Sequence, residues 1–258
     1  MVYDIKMKIM AKLRSIIKIE GTLGDLTFYK GKQGYLVKTK SGVSKARIQS
    51  DPAFARTREN GTEFGNVASA GKLLRRAILD LMVDAKDGLV TSRLTQVMAK
   101  VKNADTTSAR GERNVALGLQ SIQGQTELKG FNFNANALLG VVLRSDFNLD
   151  TATGTVTIPN IIPIQNLEVP DGATHVSLIA GFLNLDFATQ EKDLQLSPVT
   201  NLPIDGVASS ITLTPVGVPV GAGNQCYFLK VAFFQEVNAV QYPLNNGAFN
   251  ALQLIDVL

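Results

Sequence analysis

The fold follows from two stretches of the chain, THVSLIAGFLNLDF (residues 174–187) and CYFLKVAFFQEV (residues 226–237). Both are rich in β-branched and aromatic residues, which favour extended backbone over helix. The sequence predicts strands over residues 174–180, 182–187 and 226–237. The longest strongly apolar stretches, residues 137–143 and 227–234, fall well short of the roughly 20 residues that a membrane-spanning helix needs, and Lys230 interrupts the second. We therefore expect buried strands in a globular protein and no membrane span.

Shorter strand signals surround these two stretches. They lie at residues 155–158, 210–214 and 248–254. Turn-forming residues separate the strands, at Asp171-Gly172, Asp205-Gly206, Gly221 to Asn224, and Asn246-Gly247. Several short strands between turn signals are typical of β-sandwiches. We predict a β-sandwich domain, of jelly-roll or immunoglobulin-like type, over residues 127–258, with the apolar C-terminal stretch as its final strand.

A helical region precedes the β part and is predicted over residues 51–126. Asp51 followed by Pro52 is typical of a helix start, with a carboxylate cap and proline in the first turn. Apolar residues then recur at three- or four-residue spacing, which indicates one buried stripe. Its members are Phe64, Val67, Gly71, Leu74, Ile78 and Leu81. A second stripe, from Leu94 to Val101, predicts a further helix.

The first 50 residues are predicted to form a basic arm of strands. Strand-forming residues occupy 15–20, 26–30 and 35–40, and the Gly-containing run at 31–34 predicts a hairpin between the last two. An isolated hairpin is marginally stable in water, so this arm must pack on the rest of the chain or on another chain. The fold class is therefore predicted as α+β: an N-terminal hairpin and helices, followed by an all-β sandwich.

Charge is divided unevenly along the chain. Residues 1–130 carry 23 Lys and Arg against 12 Asp and Glu, whereas residues 131–258 carry 3 against 10. The modest net charge of +4 therefore conceals a cationic front half and an anionic back half. Opposite fields of this kind steer partners, or copies of one chain, toward each other.

The residues that usually carry catalysis are nearly absent. His175 is the only histidine and Cys226 the only cysteine, which excludes a multi-histidine metal site and a disulfide within one chain. The glycines at 217–223 have no helix pattern behind them, as a phosphate-binding loop requires. The carboxylates from Asp186 to Asp193 fit a solvated loop better than a calcium site. We predict no enzyme, no cofactor and no small-molecule substrate.

Clustered cations beside aromatic residues are the most suggestive feature. The candidate interaction residues are Lys30, Lys32, Lys38, Lys40, Lys45, Arg47, Arg56, Arg58, Arg75 and Arg76. Phe28, Tyr29 and Tyr35 lie among the first of them. Three interpretations stay open: contact with the acidic β part of another copy, a solvated edge kept soluble by lysines, and a grip on a nucleic-acid backbone.

Two classes of function follow. The leading hypothesis is a non-enzymatic structural subunit that self-assembles into a filament, tube or virus-like shell through charge-complementary, head-to-tail contacts. The alternative is a binding module, either for nucleic acid through the basic half or for a surface ligand in the manner of an adhesin. The N-terminus lacks a signal-peptide pattern, so we expect synthesis in the cytoplasm. The final location is left open, and the alternatives include an extracellular particle or a virion particle.

Four stretches resemble a broad group of proteins from Bacteroidota. They are GTLGDLTFYK (21–30), DPAFARTREN (51–60), FQEVN (234–238) and YPLNNGAFNAL (242–252). Members of that group combine an N-terminal basic hairpin with a C-terminal β domain. The resemblance implies a stable fold of the same organisation, and it transfers neither an activity nor a functional residue.

Overall fold

The computed structural model describes residues 11–12, 18–31, 34–39 and 42–258. The chain divides into two compact units, with the boundary between Arg58 and Glu59. Helices and antiparallel sheets both contribute substantially, which confirms the predicted α+β class. The predicted three-part division at residues 50 and 126 concerns organisation along the sequence and stays a prediction.

The first unit contains a four-stranded antiparallel sheet and a short helix. The elements are β1 (Ala11–Lys12), β2 (Gly21–Leu23), β3 (Leu26–Gly31), β4 (Gly34–Thr39) and α1 (Lys45–Ser50). The order of strands in the sheet is β1-β4-β3-β2. The predicted hairpin is confirmed as β3 and β4. Of the strand predicted at 15–20, residues 15–17 lie outside the described residues, and residues 18–20 form no strand.

Asp51 begins the helical region, as its sequence predicts. Its carboxylate accepts a hydrogen bond from the Ala53 N–H at 2.9 Å and caps a 3₁₀ turn, Pro52–Phe54. The long helix α2 (Ala55–Ala77) follows directly. Helix α1, capped by Ser44, was not predicted, because its six residues have no apolar stripe and bury no side chain.

Helices of the second unit lie mostly before residue 130. They are the greater part of α2, then α3 (Leu79–Met82), α4 (Val90–Asn103), α5 (Val115–Gly118), α6 (Ile122–Leu128), α7 (Leu139–Val142) and α8 (Pro163–Asn166). The predicted stripe is buried from Val67 to Leu81. Phe64 is the exception: it is 64% exposed, and its neighbour Glu63 is buried instead. The prediction for Phe64 was therefore wrong, because the helix turns Glu63 and Val67 inward on one face.

Two antiparallel sheets form the β part. The strands are β5 (Asn148–Asp150), β6 (Thr155–Ile161), β7 (His175–Leu185), β8 (Lys192–Leu196), β9 (Thr200–Pro203), β10 (Ser209–Leu213), β11 (Asn224–Val237), β12 (Val240–Pro243) and β13 (Ala251–Val257). The larger sheet is built on the long pair β7 and β11; β8 and β9 pair with β7, and β12 and β13 pair with β11. The smaller sheet has the order β10-β6-β5.

The larger sheet is covered on both faces. Alternate residues of β7 and β11 point in opposite directions. Leu183, Leu185 and Phe228 pack with helices α2 to α6 in one core. Phe182 and Tyr227, with their alternating neighbours, pack with β6 and β10 in a second core. Because both faces of the sheet are buried, residues 174–187 and 226–237 are almost continuously apolar and do not alternate with polar residues.

Gly181 lies within β7 and does not end a strand. The sequence predicted separate strands at 174–180 and 182–187, but β7 continues through Gly181, which pairs with Phe228 and Leu196. A Cβ at position 181 would lie 2.9 Å from Leu81 Cδ1. Glycine is thus required here so that a helical side chain can approach the sheet, and it does not mark a turn.

Candidate interaction surface

The register of the N-terminal sheet separates its side chains into two faces. Directly paired residues of antiparallel strands share a face. One face, here called the apolar arm face, carries Leu23, Leu26, Phe28, Tyr35 and Val37, together with the polar Lys30 and Thr39. The opposite face carries Thr22, Thr27, Tyr29, Leu36 and Lys38. The hydroxyls of Thr22 and Thr27 lie 3.1 Å apart on this more polar side.

The first unit buries none of the side chains whose burial is described. From residue 18 to residue 62, omitting 32–33 and 40–41, each side chain is exposed or half-buried, and the first buried residue is Glu63. On the apolar arm face, Leu23 is 71% exposed and Leu26 is 41% exposed. Apolar side chains on a small sheet stabilise it only when something covers them. Among the described residues, the apolar arm face is only partly covered: Phe28, Tyr35 and Val37 are half-buried.

The predicted hairpin cations do not form one patch. Lys30 pairs with Tyr35, and Lys38 pairs with Thr27, so the two lysines lie on opposite faces of the sheet. The Lys38 ammonium lies 5.4 Å from the centre of the Tyr29 ring. The Lys18 ammonium lies 5.7 Å from the centre of the Tyr35 ring, on the side of the apolar arm face. The predicted residues Lys32 and Lys40 lie outside the described residues.

The cations after the hairpin stabilise the helix start. Arg47, on α1, pairs with Asp51 at 3.0 Å, although its side chain is 61% exposed. The Arg58 guanidinium donates hydrogen bonds to the carbonyls of Ile48 and Asp51, at 2.8 and 3.0 Å. The Ala53 N–H and Arg47 lower the pKa of Asp51. Arg58 thus connects α1 to α2, a structural role that the sequence did not indicate.

Two further predicted cations are exposed at the surface: Lys45 on α1 and Arg56 on α2. Lys45 and Arg47 are two residues apart in a helix and therefore do not share a face. Lys45 and Arg56 remain candidate interaction residues of the first unit.

Arg75 and Arg76 belong to the second unit. Arg75 Nε donates to the Gly71 carbonyl at 3.2 Å, within its own helix. Arg76 is exposed and, with Lys72, lines a cleft of about 840 Å³. The cleft is also lined by Glu112 and Asp186, so its walls carry both signs of charge. Mixed charge of this kind selects no single class of ligand.

Most carboxylates of the back half form no ion pair with a cation of the described residues. Of the ten after residue 130, three form ion pairs: Glu168 with Arg144, Glu236 with His175, and Asp256 with Lys129. Within the described part of the chain the other seven form none. They are Asp146, Asp150, Asp171, Asp186, Glu191, Asp193 and Asp205. The negative charge of the back half is therefore not neutralised by the described cations of the same molecule.

Some of these carboxylates stabilise turns. Asp186 accepts hydrogen bonds from the N–H groups of Thr189 and Ala188, at 3.1 and 2.7 Å, and these bonds lower its pKa. Asp150 accepts from the Thr153 hydroxyl and the Ala152 N–H, which lowers its pKa as well. Among the described residues, no group of three or more His, Cys, Asp or Glu side chains is close enough to hold a metal ion.

Ion pairs with a buried partner were missed by the sequence analysis. Glu63 pairs with Lys102, and its other oxygen accepts from the Gly111 N–H at 2.8 Å. The Lys102 ammonium and the Gly111 N–H lower the pKa of Glu63. Lys230, only 5% exposed on β11, pairs with Asp84. A signal for the first pair existed, since Glu63 lies four residues before Val67 and hence on the buried stripe.

The contacts of His175 and the burial of Cys226 fit structural roles for both residues. The Thr174 hydroxyl lies 3.0 Å from His175 Nδ1, and Glu236 lies 3.5 Å from its Nε2. Cys226 is fully buried, and burial raises the pKa of its thiol to about 12. Among the described residues, no helix combines the length and the apolar character needed to cross a bilayer.

Comparisons with known proteins add no functional information. No protein-family model, no curated protein and no solved structure matches the chain. The resemblance to proteins of Bacteroidota therefore stays a prediction, and functional argument depends on the surfaces described above.

Proposed function

We propose that this chain is a non-enzymatic structural subunit that self-assembles into a larger particle, such as a filament, tube or virus-like shell. The observation that supports this most is the first unit: a four-stranded sheet with five apolar side chains on one face and no buried residue among those described. A surface of this kind gains stability when another molecule covers it.

The distribution of charge indicates which surfaces of two copies would meet. Seven carboxylates of the back half lack a cationic partner in the described part of their own chain, while Lys30, Lys38 and Lys45 are exposed on the first unit. Contact between the front of one copy and the back of the next would pair these charges. Because such a contact joins two different surfaces, it repeats and produces rings or open filaments.

The proposal includes a sandwich-like β part. The smaller sheet packs against one face of the larger sheet through a shared core, as two sheets of a sandwich do. A jelly-roll or immunoglobulin-like connection of the strands is the finer form of this proposal. A rigid body of this type gives repeating contacts a fixed geometry.

Self-assembly is tested by sedimentation velocity and negative-stain microscopy over a range of protein concentrations. We expect large particles at about 50 mM NaCl that dissociate at about 500 mM, because salt screens exposed charge pairs. The variant Lys45→Glu should weaken assembly, whereas Lys86→Glu, the same charge reversal at an exposed site of the second unit, should not. A monodisperse monomer at every salt and protein concentration would refute the proposal.

A nucleic-acid-binding module is the second candidate. It is favoured by the half-exposed rings of Tyr29 and Tyr35, each with a lysine ammonium within 6 Å of its centre. Binding of a single-stranded oligonucleotide should then weaken steeply with salt. Charge reversal at Lys38 and Lys45 should abolish that binding while leaving the circular-dichroism spectrum unchanged. Unchanged binding by this variant would eliminate the second candidate.

A further inference from the structure

An exposed row of valines follows the edge of the larger sheet. In the segment TPVGVPVG (residues 214–221), Val216, Val218 and Val220 are 76%, 55% and 77% exposed. These three residues, here called the valine ridge, lie within five residues of one another in an irregular segment that bends at Val216 and Gly217. Exposed apolar residues scattered singly are ordinary, but three so close together indicate a contact surface.

Hydrogen bonds fix the ridge beside β8. The Val216 N–H donates to the Leu196 carbonyl at 3.1 Å, and the Val220 N–H donates to the Asp193 carboxylate at 2.8 Å. Pro215 and Pro219, which directly precede Val216 and Val220, are buried. Since proline has no N–H, this edge cannot pair regularly with an added strand. A partner must therefore contact the ridge through side chains.

The apolar arm face has the matching character. It is also apolar and partly exposed: Leu23 and Leu26 are 71% and 41% exposed, and Phe28, Tyr35 and Val37 are half-buried. The same chain thus presents two apolar surfaces that are accessible in part.

Opposite charges lie beside the two surfaces. The exposed Glu191 and the half-buried Asp186 and Asp193 are near the ridge, at the β7–β8 turn and on β8, and none of them forms an ion pair with a described residue. The apolar arm face carries Lys30 at one end and the Lys18 ammonium over Tyr35. Apolar contact and charge pairing therefore favour the same orientation.

We propose that the apolar arm face of one copy packs on the valine ridge of a second copy. A second copy is the favoured occupant because its own ridge and arm face have complementary charge. The inference rests on the proposed self-assembly and names the contact that drives it. Each copy uses both surfaces, so the contact propagates head to tail.

Disulfide trapping between two differently tagged chains tests this contact. One chain carries Leu26→Cys, on the apolar arm face, and the other carries Val218→Cys, on the ridge. The native Cys226 does not compete, because its thiol is fully buried. Under mild oxidation at low salt, we expect a disulfide-linked heterodimer carrying both tags, at a yield about tenfold above the control pair.

The control pair replaces Leu26→Cys with Thr27→Cys. Thr27 is the adjacent residue of the same strand and points to the opposite face. If both pairs crosslink equally well, or if neither does while wild-type particles form, the contact is wrong but self-assembly stands. If the wild-type chain is a monomer under all conditions, both proposals fail.

Charge reversal gives an independent readout. Lys30→Glu and Glu191→Lys should each raise the protein concentration at which particles form, by about tenfold at low salt, and the double variant should restore assembly. Val218→Asp should block assembly, whereas Val207→Asp, at a site 66% exposed but outside the ridge, should not. Failure of the double variant to restore assembly, with both single variants folded, would overturn the inference. A disulfide within one chain carrying both cysteines, in place of a disulfide between chains, would overturn it too.

Discussion

The Glu63–Lys102 pair allows a prediction of stability to be worked out from the structure. Their side chains are 9% and 12% exposed, so Glu63→Gln would leave a nearly buried ammonium without its anion. Removing one partner of a buried pair costs about 3–5 kcal/mol. We expect about 3 kcal/mol here, the lower end, because Lys102 keeps some access to water.

Removing both charges should cost much less than the two single changes together. In the variant Glu63→Gln/Lys102→Met, the amide oxygen can still accept from the Gly111 N–H and no charge is left unpaired, so we expect a cost of about 1–2 kcal/mol. Lys102→Met alone leaves the Glu63 carboxylate with the Gly111 N–H and should cost about 2 kcal/mol. The two single changes would thus sum to about 5 kcal/mol, and the double-mutant cycle should give a coupling energy of about 3 kcal/mol.

Urea unfolding followed by far-ultraviolet circular dichroism measures these free energies. The matched control is Glu127→Gln, which breaks the exposed pair with Lys100, 3.3 Å long, and should cost less than about 1 kcal/mol. If Glu63→Gln costs no more than this control, or if the single changes simply add in the double variant, the pair does not have the buried character described above.

The pH dependence of the same measurement has a definite sign. The folded state lowers the pKa of Glu63 from its ordinary value of 4.5. The stabilisation by ionised Glu63 is therefore present in full above about pH 4.5 and is lost as the pH falls through the lowered, folded-state pKa. The difference between wild type and Glu63→Gln should shrink over that window.

Two further predictions concern packing and ionisation in the second unit. Gly118→Ala would place a Cβ 2.1 Å from the Val101 carbonyl oxygen, so we expect the free energy of unfolding in urea to fall by about 3 kcal/mol or more. The control, Gly65→Ala, has open space around its Cβ and should stabilise α2 by about 0.5–1 kcal/mol. Equal effects of the two changes would contradict the close approach at Gly118. Burial and the nearby Asp256 charge raise the pKa of Tyr227 to about 12. In a spectrophotometric titration, one tyrosine should therefore ionise at a higher pH than the others, and Tyr227→Phe should remove that step. If the step persists in the variant, it belongs to another tyrosine.

Several elements were predictable because their signals are local. Alternation and β-branched residues located β6, β10, β11 and β13, and Asp51-Pro52 located the start of the helical region. The fold class follows from the change in period along the chain, from 2 to 3.6 and back. The helical stripe from Val67 to Leu81 was recovered because one face of α2 is buried from Glu63 onward and Ile78 and Leu81 continue the buried stripe into α3.

Other features depend on tertiary contacts that spacing does not reveal. Strands β8 and β9 are short, half-exposed and polar, so their pairing with β7 leaves no strong pattern. Gly181 looked like a break, because its role depends on Leu81, which is remote in the sequence. The basic cluster was predicted as one surface, yet Lys30 and Lys38 point to opposite faces, because only the register of the hairpin decides this.

The Lys230–Asp84 pair has a consequence for the order in which the chain is made. Asp84 and Lys230 are 146 positions apart, and Asn250, which donates to the Asp84 carbonyl at 3.0 Å, follows later still. Synthesis from the N-terminus therefore delivers the anion, at a site with access to water, long before the cation that must be buried against it. The nascent protein therefore has Asp84 in place before Lys230 is made, whereas in a circular permutant that emerges with β11 first, Lys230 would stay in water until the helical part delivers Asp84.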